Sequence, residues 1–327
     1  MNFDELLLLA REKAASDIHI QEGLIPALRV SGKLFPQGDR EMSSKEISNL
    51  LNAILPEDKM VQLLHDGDAD AGYLSSDGIR ARISCYRSVG KLCVAVRIFP
   101  QGIPSMASLR IPPSFQKLVG KEHGLVLVSG PTGSGKSTTL ASMIDAINRE
   151  RCLRIITIED PIEYIHISQK ALVAQREVGK DCPDFLYGLR SALRQDPDVI
   201  LVGELRDRES VSTAIMAAET GHLVFTTLHA GNVIEAVDRV VQYFSSGSQQ
   251  EIRNQLANAL IGIAAQKLLP GKRGSRVAAF EILLPTPAIL NLIRRGTIHE
   301  IRNYMLASDG MQSFDNALIE LQRFHLI

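Results

Sequence analysis

Gly130-Pro131-Thr132-Gly133-Ser134-Gly135-Lys136-Ser137 fits the pattern GxxxxGK[S/T] and lies between the two elements that pattern requires. Before it, Leu125-Val126-Leu127-Val128 is an apolar run of strand length. After it, Leu140, Met143, Ile144 and Ile147 recur at the spacing of one helix face. Glycines let the backbone curl so that successive N–H groups point inward at phosphate oxygens. The start of the following helix adds a favourable dipole. In such a cradle, here Gly130 to Thr138 with Pro131, Thr132, Gly133, Ser134 and Gly135 between, Lys136 reaches the β- and γ-phosphates. The Ser137 hydroxyl would ligate Mg²⁺. Average residue usage yields the four fixed positions by chance in about one chain in a hundred of this length. The strand and helix on either side make chance rarer still.

Working outward, Ile155-Ile156-Thr157-Ile158, Val199-Ile200-Leu201-Val202 and Leu223-Val224-Phe225-Thr226 are further runs apolar on both faces. Such runs, alternating with helical periodicity, indicate a parallel sheet covered on both sides. Residues from about 248 onward read as mostly helical, with one strand near Val277–Glu281. In open sheets of this kind, ligands sit beyond the carboxyl ends of the strands. Two of those ends carry acids. Thr157-Ile158-Glu159-Asp160-Pro161-Ile162-Glu163-Tyr164 offers Glu163, beyond the Pro161 turn, to orient or deprotonate an attacking water. Glu159 and Asp160 are placed to hold Mg²⁺ through water. After Val202 come Gly203 and Glu204, where a magnesium-linked acid belongs. Gly203 stands where the usual pattern has Asp, which favours a water-mediated role for Glu204, unless Glu204 only caps a helix starting near Asp207.

His222 and His229 flank one strand. Seven strand residues span roughly 23 Å, so the two are not ligands of one metal. His229 faces the nucleotide crevice, whereas His222 at the far end reads equally well as a structural histidine. Arg190 and Arg194, four apart on an expected helix, share a face and offer charge for the γ-phosphate.

The first half differs in character. Residues 3–15 read as an amphipathic helix and 17–20 and 27–30 as strands. A helix capped by Ser43 or Ser44 and ended by Pro56 follows, then a short helix over 57–65, and 69–99 reads as an antiparallel meander with one wet face. Arg80, Arg82 and Arg97 fall on that wet face. Residues 1–98 therefore form a small α+β domain. The Pro-rich segment 99–113 is a semi-rigid linker, and 114–327 is the α/β domain with a helical C-terminal portion. The length of 327 residues accommodates two such domains. Lys and Arg number 36 against 37 Asp and Glu, and aromatics are 5%, which argues against a nucleic-acid-binding channel. None of Cys85, Cys93, Cys152 and Cys182 forms a CxxC pair, so a structural zinc site is not expected. No apolar run approaches the ~18–20 residues of a membrane span, and a cytoplasmic protein is expected.

The phosphate loop, TIEDPIEY at 157–164, LRQDPDVILVGELRD at 193–207 and AAETGHLVFTTLH at 217–229 stand together in an order that resembles the secretion-type ATPases of type II secretion and type IV pili, the GspE/PilB/PilT-like family. Ser16-Asp17-Ile18-His19, Arg80-x-Arg82 and Val96-Arg97 resemble that family's PAS-like N-terminal domain. The resemblance is greatest to the pilus retraction branch. It implies a RecA-like P-loop ATPase domain, ATP and Mg²⁺, and a homohexamer with nucleotide between subunits. Glu163 would be the general base, Glu204 the Walker B acid, and His229 with His222 the histidine box. Arg82, Arg97, Arg190 and Arg194 would form an arginine network at the phosphates. The resemblance further implies a cytoplasmic protein, peripheral at the inner membrane, working on a PilC-like platform protein with or without a paralogous ATPase. Assembly ATPases of the family are longer and carry a four-cysteine zinc insertion that this sequence lacks. Ala288–Arg295 stands where retraction motors have AIRNLIRE, with Leu290 for Arg and Arg295 for Glu. Those departures leave open an accessory or regulatory paralogue, or an assembly ATPase.

Overall fold

In the computed structural model, which describes residues 2–272, 276–305 and 310–327, the first two helices begin with the same device. Asn2 and Ser43 each accept the backbone N–H of a glutamate three residues on. That glutamate, Glu5 or Glu46, reaches back to the cap backbone. Helix α1 is Phe3–Glu12, followed by strands β1 Asp17–Gln21, β2 Ala27–Val30 and β3 Lys33–Pro36. Then come α2 Ser44–Ile54, α3 Glu57–Asp66, β4 Asp68–Leu74, β5 Arg80–Ser88 and β6 Lys91–Ile98. Among the described residues these strands form one sheet in the order β3-β2-β1-β6-β5-β4, every pair antiparallel. Ile79, Ala81, Ile83 and Cys85 are fully buried, as their alternation requires. They share a core with Leu7 of α1, Ile47 and Leu51 of α2 and Leu63 of α3. Each fully buried aliphatic side chain contributes about 1.5–3 kcal/mol. On the opposite face Arg97 pairs with Asp17 at 3.1 Å and Arg82 with Asp70 at 2.7 Å.

The chain divides into two compact units, Met1–Gly102 and Ile103–Ile327. The boundary falls inside the Pro-rich segment expected as a linker. Phe99 still hydrogen-bonds the Arg80 carbonyl, while Ile111, with Met106 and Leu109 beside it, packs into the second unit.

The second unit runs α4 Pro113–Gln116, β7 Gly124–Ser129, α5 Lys136–Glu150, β8 Arg154–Glu159, β9 Leu172–Glu177, α6 Phe185–Ala192, β10 Val199–Val202, α7 Arg208–Glu219, β11 Leu223–Leu228 and α8 Val233–Gln242. It continues with α9 Gln249–Ala259, β12 Leu260–Pro270, β13 Arg276–Leu283, α10 Pro287–Arg295, α11 Ile301–Met305 and α12 Phe314–Arg323. Its sheet order is β13-β12-β7-β11-β10-β8-β9 among the described residues. The pairs from β12 through β9 are parallel and only β12–β13 is antiparallel. All of β7, β10 and β11 is buried. Two hydrophobic clusters line the two sides of this sheet, one containing Leu125 and Leu127 and the other Val126 and Val128. This is the RecA-like α/β arrangement.

Two expectations need correction, and one strand was not expected. Residues 260–270 are a strand, not helix. They extend the sheet beyond the phosphate-loop strand, with a register shift between Leu260 and Gly262. Strand β9, at the other edge, carries no apolar run long enough to announce it. Arg190 and Arg194 do not share a helix face, because α6 ends at Ala192 and Arg194 lies in the turn beyond, its guanidinium donating to the Arg190 carbonyl at 3.0 Å. In α10, Ile289, Leu292 and Ile293 are buried and Leu290 packs against the same core.

Candidate nucleotide site

The phosphate loop joins the end of β7 to the start of α5. Gly130, Gly133 and Gly135 all have positive φ. A Cβ at Gly130 would collide with the Gln266 carbonyl oxygen and lie 2.6 Å from Ser134 Oγ, so only glycine fits there. Lys136, the first residue of α5, is buried and folds over the loop. Its Nζ donates to the carbonyls of Gly130 at 2.8 Å and Pro131 at 3.1 Å. Burial lowers its pKa, and the charge of Glu163 acts in the opposite direction. Thr139 Oγ1 donates to Gln266 Oε1 at 2.7 Å, which fixes β12 beneath the loop. Ser134 Oγ is buried and has no hydrogen-bond partner. A glycine-lined cradle with an unsatisfied hydroxyl and a buried ammonium that donates to two carbonyls has the chemistry of a polyphosphate site.

Glu163 belongs to this site. Its Oε1 accepts from Ser137 Oγ at 3.1 Å, and the next residue, Tyr164, bonds Thr138 Oγ1 through its hydroxyl at 2.9 Å. The loop is further fastened by Ile162 N–H to Glu177 Oε2 at 3.2 Å and by Asn148, which donates from Nδ2 to the Ile167 carbonyl at 2.8 Å. His166 is buried among these groups. Burial pushes its pKa down to about 4, opposed by nearby Asp145.

A second cluster forms where β8, β10 and β11 end. Glu204 accepts from Arg206 Nε, and its other oxygen lies 3.2 Å from His229 Nε2. Arg206 also reaches Asp160 at 3.5 Å and stacks over Phe185. Burial lowers the His229 pKa, helped by the positive charges of Lys136, Arg206 and Arg239. Glu204 is not the cap of α7. Asp207 has that role, accepting the Ser210 N–H at 2.8 Å. A Cβ at Gly203 would sit 3.2 Å from the Ile158 carbonyl and 3.3 Å from Phe185. That crowding accounts for glycine where an Asp is usual.

The remaining expected residues lie elsewhere. Glu159 Oε1 accepts from Thr157 Oγ1 at 2.6 Å and from Gln175 Nε2 at 3.2 Å. His222 sits at the opposite end of β11, its Nδ1 2.9 Å from the Ala217 carbonyl. Arg190 binds Glu209 at 3.3 Å. Arg82 and Arg97 belong to the first unit. Among the described residues no group of three or more His, Cys, Asp or Glu side chains is arranged to hold a metal by itself. Ser137 Oγ, at the start of α5 and bonded to Glu163, is a hard oxygen donor of the kind an ion bound mainly by phosphates and water would accept. Sequence reasoning missed Arg206, Gln175, Glu177 and Gln266. Only Arg206 left a signal, as the basic residue two positions past Glu204 at a strand end.

Comparison with known proteins agrees with this geometry. The model of the type II/IV secretion system protein family matches residues 3–280. The chain is 39% identical over 320 residues to the type IV pilus retraction ATPase PilT of Pseudomonas aeruginosa, covering 97% of this chain and 93% of that one. It is 40% identical over 319 residues to the uncharacterized protein YggR of Escherichia coli, covering 97% of each. The crystal structure of the pilus retraction motor PilT with bound ADP superposes with a TM-score of 0.93 at 41% identity, over 100% of this chain and 94% of that one. With its phosphate loop, its Glu163 contact and this likeness end to end, the chain belongs to the type II/IV secretion system protein family, as a P-loop ATPase built like the pilus retraction motor.

Proposed function

We propose that this ATPase works as a homohexameric motor that withdraws type IV pili, drawing pilin subunits out through a PilC-like platform protein of the inner membrane. The observation that carries the reading is the full-length likeness to the ADP-bound retraction motor. No helix among the described residues is long and apolar enough to cross a membrane.

In this reading Lys136 exchanges the Gly130 and Pro131 carbonyls for the β- and γ-phosphates of ATP, which adds negative charge beside a buried ammonium that Glu163 offsets only in part. Ser137 would leave Glu163 to hold Mg²⁺, and Glu163, no longer bonded to Ser137, takes a proton from the attacking water. Ser137, with Glu204, Glu159 and Asp160 through water, would hold Mg²⁺, which would neutralise phosphate charge. His229, tied to Glu204, senses the γ-phosphate. Arg190 and Arg194, and Arg82 and Arg97 once released from Asp70 and Asp17, add positive charge across a subunit boundary. Residues 1–98 form the partner domain and the Pro-rich segment 99–113 the hinge of each stroke. His222 supports the base of β11.

The test is deletion of the gene in its own host, with labelled pili followed by microscopy. Pili that extend and fail to retract, rescued by the wild-type chain and not by Glu163→Gln, are expected. Normal retraction in the deletion strain would overturn the motor reading.

A further inference from the structure

One amide ties the loop that carries Glu163 to the sheet at two backbone positions. Gln175, half-buried on β9, donates from Nε2 to the Tyr164 carbonyl at 2.8 Å and to Glu159 Oε1 at 3.2 Å. Its Oε1 accepts the His166 N–H at 2.7 Å. The amide thus grips the backbone one and three residues after Glu163. The residue before Glu163 is gripped too, by Glu177 through the Ile162 N–H. Residues 175 and 177 are two apart on one strand and so share a face. Both flanks of Glu163 are therefore set by side chains of β9, while Glu163 itself reaches across to Ser137. An amide is the neutral group that can give two hydrogen bonds and accept a third here. Alanine loses all three. A carboxylate keeps only the His166 bond and faces Glu159 as a like charge.

We propose that Gln175 is a positioning residue for ATP hydrolysis. It holds the Glu163 carboxylate where proton transfer requires it and does not touch the nucleotide. The inference rests on Glu163 acting as the base. Misplacing a reacting group by about 1 Å costs on the order of 100-fold in rate, so the effect belongs in kcat.

The experiment uses the full chain with Gln175→Ala, Gln175→Glu and, alongside, Glu163→Gln. ATP hydrolysis is measured from about pH 5.5 to about pH 8.5, and binding is followed with a fluorescent ADP analogue. Both Gln175 variants are expected to lose about 10- to 100-fold in kcat, with KM for ATP and ADP affinity within about twofold of wild type. Gln175→Glu is expected to recover relative to wild type as pH falls, because the protonated carboxyl donates again and no longer repels Glu159. Gln175→Ala should show no recovery. An unchanged kcat in Gln175→Ala, a Gln175→Glu profile parallel to wild type, or ADP affinity falling in step with kcat each overturns the proposal. Glu163→Gln separates it from its premise. If that variant still turns over, the base assignment fails. If it is inactive while the Gln175 variants stay fully active, only the positioning role fails.

Discussion

Two acidic strand ends face one crevice and are built in opposite ways. At the end of β8, the segment bearing Glu163 is fastened on both sides, to α5 through Thr138 and Asn148 and to β9 through Gln175 and Glu177. His166 is sealed beneath it. At the ends of β10 and β11, Glu204 is held by the side chains of Arg206 and His229, which are themselves half exposed or more. Backbone clamps fix a position, whereas an exposed ion-pair cluster is worth little in stability and rearranges cheaply. The first arrangement suits a group that must be in place before the reaction. The second suits groups that change partners as phosphate arrives and leaves.

If that contrast is right, the largest effect comes from the clamped side. Glu163→Gln preserves shape and the Ser137 contact yet cannot take a proton. Turnover is expected to fall by about 100- to 10,000-fold with nucleotide affinity retained, measured by steady-state hydrolysis and equilibrium binding. Substantial residual turnover would move the base elsewhere.

The clamp itself is testable through His166. Above its ordinary pKa of 6.5 the residue is neutral folded or unfolded, and contributes no pH dependence. Below that value the unfolded chain takes up a proton that the folded chain refuses until about pH 4. Stability therefore drains as pH falls through this window, by at most about 3 kcal/mol. His166→Leu should flatten that stretch of the stability–pH curve, read from denaturant midpoints. A curve of unchanged slope would mean His166 is not sealed.

On the open side, Arg206→Ala removes one of the cations that depress His229 and frees Glu204 to face it. The His229 pKa should rise, as followed by NMR of its ring protons, with turnover reduced about tenfold, the scale of one charge near a developing phosphate. A His229 that titrates unchanged would show that Arg206 points elsewhere in solution, and the exchangeable-cluster reading would fall.

What the sequence disclosed follows the same division. Contiguous features were legible. Strand, loop and helix around Gly130–Ser137 lie within 27 residues of chain from Gly124 to Glu150, and each part constrains the next. Glu163 and Glu204 announced themselves by position after apolar strands. Gln175 and Gln266 were invisible because their partners lie 11 and 127 residues away. Neither sits in an apolar run. Strand β12 was hidden for a related reason. Leu260-Ile261-Gly262-Ile263-Ala264-Ala265 follows α9 with no Pro or Gly between them, and a short buried run of that kind has no period to separate strand from helix. Its Gly262, at a register shift, was the available sign. Arg194 was misplaced because spacing alone does not say where a helix stops.

The smallest predicted effect tests whether position along one strand assigns a role. His222 and His229 have the same chemistry and bracket the same β11, but only His229 meets the crevice groups. His222 bonds the Ala217 carbonyl, next to the turn that closes α7, and its own carbonyl accepts the Gly124 N–H at the start of β7. Those contacts fasten the ends of β11 and β7 opposite the phosphate loop. His222→Gln, which can still donate to that carbonyl, should leave kcat within about twofold and lower stability by no more than about 1 kcal/mol, the net value of one hydrogen bond. Hydrolysis assays and thermal unfolding read both. If kcat instead falls as far as in Arg206→Ala, His222 acts on the reaction from a position that this chain's own fold keeps away from the crevice. The group it touches would then have to come from another subunit.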